Sequence, residues 1–219
     1  MTHTLHRTGE IKSLEKDYVI MSMAGQKIND QGAKVKIRQT LKIMAKYNPV
    51  NLSGEIGGIY TGHTIEEIIE NLTDQSYASA VFTDEFTLDK LLSDLKEADL
   101  GLSVVVSGPF HKVFEVANRV GLKPHTVNMS LGVFGPPDLL ADKNILDITT
   151  MCGHDMVNSR RTEKILKKVV KGNLTPEKAA KALAKSCTCG VFNVQRTANI
   201  IENISTARKI QSGDNNANQ

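Results

Sequence analysis

The chain has 219 residues, 40% of them hydrophobic, and a formal charge of +3 at pH 7, which is enough apolar content for one large domain or two small ones without disulfide staples. The basic residues are spread along the chain, tryptophan is absent and aromatics make up 5%, so neither charge nor stacking argues for a nucleic-acid partner. No apolar run approaches a bilayer's thickness and the first residues lack the apolar centre of a secretory signal, so the sequence predicts a cytoplasmic protein with no membrane partner.

Residues 17–24 alternate large and small in the manner of a strand, and Ile37, Leu41 and Met44 recur at helical spacing over 33–45 until Asn48-Pro49 stops the helix. The stretch 53–62 is glycine-rich and resembles an ordinary turn more than a phosphate loop, since it has neither a Walker lysine nor a G-x-G-x-x-G pattern. Thr64 and Glu67 form a capping box for a helix reaching about Asn71.

A clearer βαβαβ alternation follows: strands over 77–82 and 100–106, helices over 88–98 and from Pro109 to Gly121, and a further strand over 125–134. Gly135-Pro136-Pro137 reads as a hinge. Beyond it helices are expected over 155–171, 175–184 and 191–208, the second opened by Thr175-Pro176-Glu177. The fold class is therefore α/β: a βαβ-type layered sheet domain over 1–135, a helical segment over 143–209, and a polar, disordered tail over 210–219.

All three cysteines fall in a motif written twice. Cys152, His154, Asn158, Arg161 and Thr162 recur 35 residues later as Cys187, Cys189, Asn193, Arg196 and Thr197, so both copies read C-x-[HC]-x3-N-x2-R-T-x2-I. Three cysteines cannot all pair within one chain, and clustered thiols in a reducing compartment point to metal or redox chemistry. Each dyad is expected to open a helix, where outward N–H groups lower thiol pKa values and favour an anionic centre.

Cys152, Cys187 and Cys189 are thus the expected metal ligands, with His154 a fourth ligand or an acid/base group. Two helix starts and two arginines favour a [4Fe–4S] cluster; zinc in a closed Cys3His site is the alternative. The expected helical spacing puts Asn158 and Arg161 on one face, and Asn193 and Arg196 on the matching face, so the two pairs are candidate clamps for a small anionic ligand. The competing role for the same residues is to cap helices and bind carbonyls or carboxylates.

An open iron would serve a lyase-like reaction, whereas a closed cluster would serve electron transfer. Other readings are a zinc-stabilised interaction protein without catalysis, and a thiol-redox protein using Cys187 and Cys189. The sequence also admits a homo-oligomer. His3, His6, His111 and His125 are most simply surface residues.

Overall fold

The computed structural model describes residues 2–217, with side chains for 4–208 and 210. After a 3-10 turn at Thr2–His6 and the one-turn helix α1 (Ile11–Leu14), the chain forms β1 (Tyr18–Met23), α2 (Ala33–Lys46), the hairpin β2 (Asn51–Gly54) and β3 (Gly57–Gly58), and α3 (Ile65–Glu70). Next come β4 (Tyr77–Phe82), α4 (Glu85–Ala98), β5 (Ser103–Ser107) and α5 (Phe110–Arg119).

The strand order is β3-β2-β4-β1-β5, with every pairing antiparallel. A βαβ alternation usually signals parallel neighbours. Here each crossover skips one strand, so β4 lies between β1 and β2 while β1 lies between β4 and β5. This is the split βαβ arrangement.

Alternate residues of the strands serve opposite faces. Tyr18, Ile20, Leu52, Ala80 and Phe82 pack with Ile37, Leu41 and Met44 of α2 and with Leu88, Leu91 and Leu92 of α4. Val19 and Val81 point the other way, into a second core supplied by α6 (Lys143–Thr149), α7 (Ser159–Val170), α8 (Pro176–Ala184) and α9 (Val194–Ala217). The sheet is therefore the middle of three layers, and the C-terminal helices share a core with it.

Local signals explain several boundaries. Thr64 accepts the Glu67 N–H at 3.1 Å while Glu67 accepts the Thr64 N–H at 2.8 Å, completing the capping box of α3. Thr175 accepts the Lys178 N–H at 3.3 Å and Pro176 fills the first position of α8. The glycine-rich stretch is the β2–β3 hairpin, where a Cβ on Gly58 would meet the Leu52 carbonyl at 2.8 Å. Close backbone approach accounts for that glycine without a phosphate.

Three expectations need correction. Residues 125–134 form no regular strand, and Val127, Met129, Leu131 and Val133 are exposed; alternation makes a strand only where another strand offers hydrogen bonds. Helix α6, absent from the sequence reading, precedes the first motif. Helix α9 continues to Ala217, so the expected tail over 210–219 falls partly on this helix and partly, at 218–219, outside the described residues.

Candidate functional site

Both cysteine segments are turns that leave one helix before the next begins. After α6, the Cys152 N–H donates to Thr149 O at 3.1 Å and the Asp155 N–H to Cys152 O at 3.0 Å; after α8, the Cys187 N–H donates to Ala184 O at 2.9 Å and the Gly190 N–H to Cys187 O at 3.2 Å. The fourth residue of each turn is left-handed, Asp155 at φ 55° and Gly190 at φ 63°. Helices α7 and α9 start only at Ser159 and Val194.

The dyads therefore do not open helices, contrary to the sequence expectation. The asparagines do: Asn158 Oδ1 accepts the Arg161 N–H at 3.2 Å and Asn193 Oδ1 accepts the Arg196 N–H at 2.8 Å. Apolar periodicity alone ran the helices back into the turns, whereas these two cap residues mark their true starts.

The two turns bring their thiols together. Cys152, Cys187 and Cys189 are 2%, 1% and 8% exposed, and the Cys187 and Cys189 sulfurs lie 3.6 Å apart. Hydrogen bonding with Cys187 lowers the Cys152 and Cys189 thiols to about 6 against the opposing effect of burial. The same bonds hold the Cys187 thiol far above the ordinary range.

Turn N–H groups of Met156 and His154 reach Cys152, while the Val191 N–H and the His154 side chain reach Cys189. Thiolate stabilisation thus comes from the turns themselves. Tyr77, on the sheet face toward this cluster, is pushed up to about 12, first by burial and further by Cys189.

All four expected clamp residues make hydrogen bonds within the chain, Asn193 and Arg196 buried, Asn158 and Arg161 exposed. Besides capping α9, Asn193 donates to Lys16 O at 2.9 Å and to Asp17 at 3.0 Å. Arg161 donates to Ser186 Oγ at 2.9 Å and Ala182 O at 3.2 Å, fastening α7 to the end of α8. Arg196 is buried, pairing with Asp17 at 2.9 Å and reaching Ser13 and Thr8. These bonds are those of helix caps and interhelical struts, the competing role expected of the same residues.

Several residues that fix the site carry no motif. Asn51 donates to Phe192 O at 2.9 Å and Ser53 to Cys189 O at 2.5 Å, so polar positions on the sheet grip the second cysteine turn. Asp17, buried beside the start of β1, gathers Arg7, Arg196 and Asn193. Their only sequence signal was polar residues inside strand-forming runs.

A cavity of about 350 Å³ adjoins Cys152, with His6, Thr150, Asp155 and Ser159 on its walls. A larger one, about 960 Å³, runs along β5 and α5 and touches none of the thiols. Among the described residues, no three His, Cys, Asp or Glu side chains surround a common point as metal ligands. Among the same residues no helix is long and apolar enough to cross a membrane. No protein family, curated protein or solved structure matches this chain.

The fold and site define a split βαβ sheet protein whose second helical layer carries three converging buried thiols.

Proposed function

We propose that Cys152, Cys187, Cys189 and His154 form a mononuclear, zinc-type metal centre that staples two helical hairpins, α6–α7 and α8–α9. The observation that carries this reading is the 3.6 Å separation of the Cys187 and Cys189 sulfurs. Metal–sulfur bonds of about 2.3 Å at tetrahedral angles put two thiolates about 3.8 Å apart. A [4Fe–4S] cluster would spread its thiolates over separate irons and force these turns open.

Binding exchanges thiol protons for the metal. Three thiolates and a neutral imidazole leave the centre with one net negative charge, which the N–H groups of His154, Met156 and Val191 offset. We further read the two hairpins as copies of one unit. The same turn bonds, left-handed residue and asparagine cap recur 35 residues apart, and Val157, Leu166 and Val169 match Phe192, Ile201 and Ile204 in one core.

Cobalt(II) titration of the reduced, metal-free protein tests the centre. One equivalent should give the intense visible bands of a tetrahedral thiolate site, lost in Cys187→Ser. Weak octahedral bands, or no uptake, would reject it.

A further inference from the structure

One guanidinium ties both cysteine turns together. Arg7 Nη2 donates to Met151 O at 3.2 Å and also to Val191 O; Met151 precedes Cys152, and Val191 follows Cys189 by two residues. Nη1 of the same group forms an ion pair with Asp17, the side chains being 6% and 0% exposed.

The arm bearing Arg7 is itself anchored. The Thr8 N–H donates to Thr150 Oγ1 at 3.1 Å, Thr8 Oγ1 donates to Asp147 at 2.8 Å, and Thr8 O accepts Arg196 Nη2 at 2.6 Å.

We propose that Arg7 is a positioning residue for the thiol centre, drawing the two turns together so that Cys152 meets Cys187 and Cys189 before a metal arrives. This inference rests on the metal-centre reading. Each turn follows a helix C-terminus, whose carbonyls carry partial negative charge. Two such ends repel unless a cation lies between their carbonyls.

Asp17 does not by itself require this arginine, because Arg196 and Asn193 already bind it. Among the described residues, moreover, no hydrogen-bond acceptor meets the buried Arg7 Nε. An apolar side chain would avoid that desolvation cost. What it could not do is bridge two carbonyls from different turns.

The test compares wild type with Arg7→Lys, Arg7→Met and Thr8→Val. Lysine keeps the charge beside Asp17 but lacks the fork that spans Asp17 and both carbonyls; Thr8→Val weakens the arm and leaves the guanidinium. With cobalt(II) as probe, Thr8→Val should match the wild-type spectrum and affinity. Arg7→Lys should bind roughly 10- to 100-fold more weakly, with a shifted thiolate-to-cobalt band, and Arg7→Met should be weaker still.

Wild-type affinity and spectrum in Arg7→Lys would overturn the inference, whatever the melting temperature. If Arg7→Met does not fold, Arg7→Lys carries the comparison. If the wild type takes up no cobalt, the metal-centre reading fails, and arsenite, which takes three thiolates and no imidazole, becomes the probe. Weaker arsenite binding by Arg7→Lys then supports the positioning role; equal binding, or none by the wild type, rejects it.

Discussion

Cys187 and Cys189, separated by one residue, hold their sulfurs 3.6 Å apart, and Cys152 joins them from a turn 35 positions earlier in the chain. Hydrogen bonding among the sulfurs lowers the Cys152 and Cys189 thiols and raises that of Cys187.

The metal-free protein should accordingly form thiolates at Cys152 and Cys189 near pH 6, well below an ordinary thiol. Both groups bind protons less tightly when folded than unfolded. Their stabilising contribution is present above the unfolded thiol pKa of about 8.5 and is lost as pH falls through about 6. Cys187 has the opposite sign, contributing below the ordinary thiol value and losing that contribution as pH rises through its own raised value. Thiolate absorbance followed against pH checks this, and a single transition near the ordinary thiol value would contradict it.

The two caps should differ in cost although they occupy equivalent positions. Asn158→Ala removes an exposed cap and should cost about 1 kcal/mol. Asn193→Ala also strips bonds from Lys16 O and Asp17 in a buried site, and should cost about 2–4 kcal/mol. Urea unfolding of the two variants measures the difference.

The arginines should separate in the same way. Arg161→Lys, at an exposed strut, should cost about 1 kcal/mol or less. Arg196→Met leaves Asp17 short of a buried partner and should cost about 3–5 kcal/mol. Equal, small losses in both, together with loss of binding to a small carboxylate, would favour the anion clamp.

The left-handed positions give a further contrast. At Gly190 a Cβ would fall 2.4 Å from Ser53 Cβ, so Gly190→Ala should cost at least about 2 kcal/mol and displace the second cysteine turn. Asp155→Gly relieves the same backbone conformation in the first turn and should stabilise by about 0.5–1 kcal/mol. Thermal melts of both variants decide the point.

Much of this was written locally. The strand at Tyr77–Phe82, the capping box at Thr64 and Glu67, and the Thr175-Pro176 start of α8 depend on neighbouring residues, so sequence spacing reveals them. Sheet order was not legible, because strand partners such as Tyr18 and Phe82 are chosen by packing between distant segments.

The site was partly legible for the same reason. The paired cysteines announce themselves through the repeated motif, and their neighbouring asparagines carry a recognisable capping signal that competes with the apolar periodicity running into the turns. Arg7, Asp17 and Ser53 act across long separations in sequence. A lone arginine near the N-terminus gives no sign that it spans two later turns.

The most direct test of the metal centre is elemental analysis of anaerobically purified protein, combined with X-ray absorption at the edge of whatever metal is found. The account predicts one zinc-type ion per chain, with three sulfur ligands at about 2.3 Å and one nitrogen at about 2.0 Å. Four irons with inorganic sulfide, or a folded protein that takes up no metal under reducing conditions, would contradict it.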